Sequence, residues 1–325
     1  MNLTLPASRA ETFSGRSPAS GVNTVRLGKR EVVPGSRGLG WLKPLSLATE
    51  SVEVLRARLL EDGYLLLRGV VPTATVTAAR RVVLEHLAAQ GLVDTARPLM
   101  EGGMAVDANG ATGAYLGGVE AVTHHPDFLG LVEGPALVGT VEQVLGEASI
   151  TPRYKWLRAV GSGDGTSPHY DVVFMGRGTR QRLFTCWTPL GDIGIDNGPL
   201  ALLAGSHNLD SYQKVRETYG KADVDVDNID SNFSHDPLEI SERYGAQWQT
   251  AEFKAGDVLL FGMYTMHAAL SNATDRLRLS CDVRFQPASE PIDPRWFGDK
   301  PVGNYGWKKI GPVVPVEVSR KAWGV

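Results

Sequence analysis

The chain has 325 residues, 42% of them hydrophobic and 21% charged, which suits one large domain with N-terminal additions better than two independent units. A formal net charge of −3 argues against a nucleic-acid partner, whose footprint is usually basic, and no apolar run is expected to cross a bilayer. Cys186 and Cys281 lie in apolar, strand-like stretches. They read as buried thiols and point to a reducing, cytoplasmic setting.

In chain order, residues 1–45 read as an N-terminal arm, partly flexible or wrapped over the domain. They are rich in Ser, Gly and Arg and lack a signal-peptide core. Residues 50–61 have the apolar spacing of an amphipathic helix, which Gly63 ends, and 64–70 form a strand. Pro72 and Thr73 open a second helix to about Gln90. Residues 91–120 are glycine-rich and loop-like, and 128–145 are helical. From Ile150 the chain turns β-rich. Strands are predicted at 153–160, 169–174, 182–190, 199–203, 250–253, 257–262, 264–270 and 277–286, between Gly, Asn, Asp and Pro signals. That pattern predicts a mainly β fold, a double-stranded β-helix or jelly roll of cupin-like type, with the helices on one outer face. The catalytic domain would span 46–290, and 291–325 would pack on it as a tail. Residues 207–249 interrupt the strands with Tyr212, Tyr219, Phe233, His235, Tyr244 and Trp248. Two readings stand: a lid over the site, or a surface excursion packed by its own aromatics.

His169-Tyr170-Asp171, followed by His267 and Arg278, carries the chemistry. Residues i and i+2 of a strand share a face, so His169 and Asp171 can chelate together, with His267 arriving from another strand. Two imidazoles and a carboxylate hold a divalent iron on one face and leave three positions open. Arg278 lies far enough past His267 to return on the next strand, where a guanidinium can clamp a carboxylate through paired hydrogen bonds. A second H-x-D, His125-Pro126-Asp127, serves as an internal control; its proline suits the first turn of a helix better than a strand. His207 reads as part of a Gly-Ser-His turn.

Several segments in order give the chain its resemblance. Asp62-Gly63-Tyr64-Leu65-Leu66-Leu67-Arg68-Gly69-Val70, His169-Tyr170-Asp171, Asn197-Gly198-Pro199-Leu200, Ala204-Gly205-Ser206-His207, Gly256-Asp257-Val258-Leu259-Leu260-Phe261, His267, Asn272 and Arg278 together resemble the phytanoyl-CoA dioxygenase family. Its members are Fe(II)- and 2-oxoglutarate-dependent oxygenases, and the likeness runs from about Leu59 to Phe285. The resemblance implies Fe(II) on His169, Asp171 and His267. It implies 2-oxoglutarate on Arg278, with Trp187 and Thr185 beside it; in the strand at 153–160 the sequence leaves open whether Tyr154, Trp156 and Arg158 or Lys155, Leu157 and Ala159 face inward, and the resemblance favours Lys155 reaching the co-substrate. Dioxygen would be the oxidant. Arg276 shares Arg278's strand parity but is placed at the strand entrance. Two positions depart from the pattern: Ala204 replaces a proline, and Ala269 stands where a serine often helps bind 2-oxoglutarate. The implied activity is oxidation of a C–H bond in a small-molecule metabolite by hydroxylation, desaturation or cyclisation, with release of succinate and CO2. Retention of Asp171 disfavours halogenation. The alternatives are a cupin-like metalloenzyme that needs no 2-oxoglutarate and a non-catalytic ligand-binding jelly roll.

Overall fold

The structure, a computed structural model, describes residues 22–105, 113–304 and 312–325. Part of the expected 91–120 loop, residues 1–21 of the expected arm and residues 305–311 of the expected tail lie outside the described residues. Strands are β1 (Val25–Leu27), β2 (Arg30–Val32), β3 (Gly40–Trp41), β4 (Pro44–Leu45), β5 (Tyr64–Leu67), β6 (Ala114–Tyr115), β7 (Ser149–Ile150), β8 (Trp156–Val160), β9 (Thr166–His169), β10 (Phe184–Pro189), β11 (Leu200–Ala204), β12 (Gln247–Thr250), β13 (Val258–Gly262), β14 (His267–Ala269) and β15 (Arg278–Pro287). Helices are α1 (Val52–Asp62), α2 (Thr73–Ala89), α3 (Glu120–Thr123), α4 (Pro126–Val132), α5 (Pro135–Leu145), α6 (Val172–Met175), α7 (Gln213–Glu217), α8 (Pro237–Tyr244) and α9 (Val316–Trp323).

Two mixed, open sheets form the sandwich. The larger runs β4-β5-β13-β10-β15-β8-β6, with β7 pairing β15 off that path; the smaller runs β3-β12-β11-β14-β9. The expected jelly roll flanked by helices is present. Period-two alternation sorts the side chains of the large sheet. Leu157, Ala159, Cys186, Leu279, Cys281, Val283 and Phe285 join a core with α1, α2, α4 and α5, including Leu55, Val83, Leu87, Phe128 and Val141. The opposite parity, with Tyr64, Leu66, Trp187 and Leu259, meets Leu200, Leu202 and Ala269 of the small sheet. Cys186 and Cys281 are free and buried.

Local chemistry sets the boundaries. Ser51 Oγ caps α1, and Gly63 ends it with φ 81°, a left-handed conformation that favours glycine. The single helix expected over 128–145 is two, because Pro135 starts a new helix after Gly134. Stretch 126–145 is long and apolar enough to pass for a membrane span, but half of it is buried in the core, and each half alone is far shorter than the roughly 20 residues a span needs.

The described part of the arm adds edges to the sandwich. β3 pairs in parallel with β12 and β4 in parallel with β5. In the tail, the Arg320 guanidinium on α9 pairs with Glu239 of α8 at 2.6 Å. Tyr212, Tyr219, Phe233 and Trp248 of the 207–249 stretch are buried with Tyr170, Val173, Ala201, Leu203 and Ala268, on the outer side of the small sheet.

Candidate active site

β9 and β14 pair antiparallel, with His267 directly opposite His169. The two imidazoles are therefore presented side by side, ring centroids 4.2 Å apart. Phe174 meets the His169 ring edge-on at 5.7 Å, and Phe261 packs on His267 at 4.7 Å. Asp171 reaches the same point by a different route from the expected one. The strand stops at His169; Asp171 has φ −65° and ψ −26° and immediately precedes α6, making no capping bond with its side chain. The predicted strand at 169–174 is therefore a strand end followed by a helical turn, and this turn, not strand parity, swings the carboxylate beneath the two rings.

The donor atoms converge. Asp171 Oδ1 lies 3.8 Å from His169 Nε2 and 3.7 Å from His267 Nε2, and the three ligand atoms are all within 4.8 Å of one another. His169 Nδ1 bonds the Ser167 carbonyl at 2.9 Å and His267 Nδ1 the Thr265 carbonyl at 3.1 Å. Each contact holds the proton on Nδ1 and leaves a bare Nε2 lone pair, as a metal ligand requires. Burial, with His267 alongside, pushes His169 down to about 3, so it is neutral over the physiological range. Burial alone would raise Asp171, but Arg284, His267 and His169 hold it well below the usual carboxylate range. Two imidazoles, each with Nε2 turned to a common point, and one carboxylate oxygen fit Fe(II).

The other carboxylate oxygen is held from behind. Thr185 Oγ1 donates to Asp171 Oδ2 at 2.6 Å, and Arg284 Nη2 donates to the same oxygen at 3.0 Å. Arg284 Cζ lies over the Trp156 ring, 4.1 Å from its centroid. Residues further along the inner face of β15 complete the polar row. Asp282 accepts from Arg158 Nε at 3.0 Å. Arg278 is buried, donates to Ser280 Oγ, and keeps an Nε–H with no partner among the described residues. Burial lowers Arg278 to about 10, with Arg158 adding repulsion; it stays charged at neutral pH. A buried guanidinium with an unmet donor fits an incoming carboxylate. Ser280 supplies beside it a hydroxyl that Ala269 does not.

The cleft is lined by Arg158, Thr166, His169, Thr185, Trp187, Leu200, Phe261, His267, Arg278 and Asp282. Trp187 and Thr185 face it; Thr185 bonds Asp171. Lys155 does not. Its ammonium is fully buried on the opposite face of β8, 2.6 Å from Glu133 and bonded to the Pro152 carbonyl. Its strand neighbours Leu157 and Ala159 belong to the helix-side core, so Lys155 cannot serve the co-substrate and its expected role is withdrawn. Arg158, of opposite parity, is the β8 residue that enters the cleft. Arg276 is exposed at the strand entrance. Asn272 and Asn197 tie down the turn before Arg278 through the Arg276 carbonyl. None of residues 207–249 lines the cleft. His207 bonds the Leu60 carbonyl and His235 pairs with Asp230, both away from the histidine pair. His125 Nδ1 caps α4 by accepting from the Asp127 amide.

Arg284, Asp282 and Arg158 were not among the residues expected at the site. The signal was available: Arg278, Ser280, Asp282, Arg284 and Gln286 alternate with Leu279, Cys281, Val283 and Phe285 in a strand buried along its whole length. Polar groups repeating every second residue on a buried strand must face one another or a ligand.

Comparison with known proteins agrees with this geometry. The family model "Phytanoyl-CoA dioxygenase (PhyH)" matches residues 59–280. A 1-deoxypentalenic acid 11-beta-hydroxylase from Streptomyces exfoliatus is 30% identical over 246 residues, 70% of this chain and 79% of that protein. Among solved structures, the epimerase SnoN, in complex with Fe3+, alpha ketoglutarate and nogalamycin RO, superposes with a TM-score of 0.53 at 19% identity, covering 81% of this chain and 97% of SnoN. The non-heme alpha ketoglutarate dependent carbocyclase SnoK does so with a TM-score of 0.53 at 18% identity, covering 84% of this chain and 96% of SnoK; at such identities the structures speak to the fold. On the strength of the matched length and the curated relative, the chain belongs to the phytanoyl-CoA dioxygenase family of Fe(II)- and 2-oxoglutarate-dependent oxygenases.

Proposed function

We propose that the protein oxidises an unactivated C–H bond of a small-molecule metabolite, by hydroxylation in the first instance, with desaturation or ring formation as the other outcomes of the same chemistry. The observation that carries this reading is the convergence of His169 Nε2, His267 Nε2 and Asp171 Oδ1 within one cleft that also contains the partly unpaired Arg278 guanidinium. The relative from Streptomyces exfoliatus, by its name a hydroxylase of a carboxylic acid, supports it.

His169, His267 and Asp171 would hold the iron, and Arg278 with Ser280 would hold the distal carboxylate of 2-oxoglutarate. When bound, iron and 2-oxoglutarate supply an oxidant from dioxygen and yield succinate and CO2. The protein's own part is geometric and electrostatic. Ser167 and Thr265 keep the imidazoles in the ligating tautomer. Thr185 and Arg284 engage one carboxylate oxygen and leave the other free. Trp187, Leu200 and Phe261 exclude water from the cleft. A carboxylate at 171, rather than a small residue, leaves no place for a halide ligand, which disfavours halogenation. Buried free thiols at Cys186 and Cys281 suit a reducing cytoplasm.

Anaerobic addition of Fe(II) and 2-oxoglutarate to the pure protein should raise a weak visible charge-transfer band. Admission of air with substrate should then consume one 2-oxoglutarate per succinate released. Oxidised product formed at full rate with 2-oxoglutarate withheld would sink the proposal.

A further inference from the structure

The inner face of the large sheet carries more positive than negative charge. Arg158, Arg278 and Arg284 stand against Asp171 and Asp282, which leaves one positive charge in excess. The ion pairs account for four of the five: Arg284 with Asp171 at 3.0 Å and Arg158 with Asp282 at 3.0 Å. Among the described residues Arg278 has only the Ser280 hydroxyl. On the functional reading above, on which this inference rests, the ligands brought to the site cancel: Fe(II) carries two positive charges and 2-oxoglutarate two negative ones, and the histidine ligands are neutral. The chain's excess charge persists after both have bound. An uncompensated charge in a largely buried cleft is costly.

The geometry locates where that charge is available. Arg158 uses only Nε, on Asp282. Its two Nη groups have no hydrogen-bond partner among the described residues. Its side chain is 34% exposed, whereas Arg278 and Arg284 are buried. Tyr115, half exposed and opposite Arg158 on the neighbouring strand β6, supports the guanidinium from one face at 5.2 Å. A guanidinium pinned through Nε, with Tyr115 over one face and an outer edge that meets no partner among the described residues, presents a planar two-pronged donor that matches a carboxylate. The apolar cleft wall of Trp187, Leu200 and Phe261 is available to the rest of such a molecule.

We infer that the substrate is an apolar molecule bearing a single carboxylate, and that the outer edge of Arg158 receives that carboxylate.

The test uses the full chain loaded anaerobically with Fe(II) and 2-oxoglutarate, with cyclohexanecarboxylate and its neutral amide, cyclohexanecarboxamide, as probes. Calorimetry reads probe affinity, and the charge-transfer band reads 2-oxoglutarate affinity. In the wild type the carboxylate should bind at least roughly tenfold more tightly than the amide, the worth of a charge-assisted pair. Arg158→Gln should abolish that preference, and Arg158→Lys should restore part of it, since the ammonium keeps the charge and loses the fork. Both variants should still form the charge-transfer band with Fe(II) and 2-oxoglutarate, which reports that they have folded. Equal affinity for the two probes, including no binding of either, overturns the inference. So does a preference that survives in Arg158→Gln. Loss of 2-oxoglutarate binding in Arg158→Lys, which keeps the charge beside Asp282, overturns it as well, by placing Arg158 in the co-substrate pocket. A wild-type enzyme that forms no band would instead remove the catalytic reading beneath it, and this is seen before any probe is added.

Discussion

Replacing Thr185 with valine keeps the β-branched shape on β10 and deletes one hydroxyl. That hydroxyl donates to Asp171 Oδ2 at 2.6 Å in a fully buried setting, and the one other side-chain donor on that oxygen among the described residues is Arg284. A hydrogen bond to a buried carboxylate is worth about 1.5–3 kcal/mol. Its loss frees the carboxylate to rotate, so that Oδ1 no longer stays aimed at the two Nε2 atoms. Partners behind a metal ligand typically contribute about ten- to a hundredfold in affinity, the same range that 1.5–3 kcal/mol gives. Thr185→Val should therefore weaken binding of Co(II) or Fe(II) by that factor, measured anaerobically by chelator competition. Affinity for 2-oxoglutarate at saturating metal should not change. Unaltered metal affinity with weakened 2-oxoglutarate binding would refute the reasoning and return Thr185 to the co-substrate pocket.

Further outcomes follow from the same geometry. His169→Ala, Asp171→Ala and His267→Ala should each abolish turnover and lower metal content while the fold survives by circular dichroism; full activity in any one removes that residue from the site. Arg278→Ala should weaken 2-oxoglutarate binding about ten- to a hundredfold with metal content near normal, Arg278→Lys should recover part of it, and Arg276→Ala, exposed at the strand entrance, should have little effect. Kinetics at varied 2-oxoglutarate decide among them. Lys155→Met should lower the melting temperature, because the Pro152 carbonyl and Glu133 lose their partner, a cost of roughly 1–3 kcal/mol; an unchanged KM for 2-oxoglutarate is expected, and a raised one would put Lys155 back in the pocket.

The jelly roll was legible in the sequence because its strands are short, apolar and bounded by turn residues. The metal ligands were legible because few arrangements other than a shared ion explain His169, Asp171 and His267 on converging segments. The reason attached to Asp171 was not correct in detail. A helical turn at Val172–Met175 looks like strand in a run of Val, Val and Phe, since those residues favour strands wherever packing does not decide otherwise. The side of the 153–160 stretch that faces inward was ambiguous, because both faces carry cations, Arg153 and Lys155 on one and Arg158 on the other, and at least one large apolar residue. Only the helix layer that covers Leu157 and Ala159 resolves it. The break at Gly134–Pro135 was readable and outweighed by the apolar periodicity around it. The aromatic content of 207–249 could not choose between a lid and a self-packed excursion, because burying Tyr212, Tyr219 and Phe233 satisfies either.

β15 works as a ruler with two scales. One edge of marks meets the helices; the other sets Arg278, Ser280, Asp282 and Arg284 along the cleft, over roughly 20 Å at about 3.4 Å per residue. Because the marks alternate, drift at the even-numbered positions can re-specify what the cleft accepts without disturbing a single core contact. A one-residue insertion or deletion inside the strand would exchange the two scales, driving guanidinium groups into the helix layer and apolar side chains into the cleft. The hydrogen-bonded Asn197–Asn272 clasp at its start sets the zero of that ruler. Within this lineage, new substrates should therefore arise by point substitution along β15 and β8, while the lengths of these strands stay fixed.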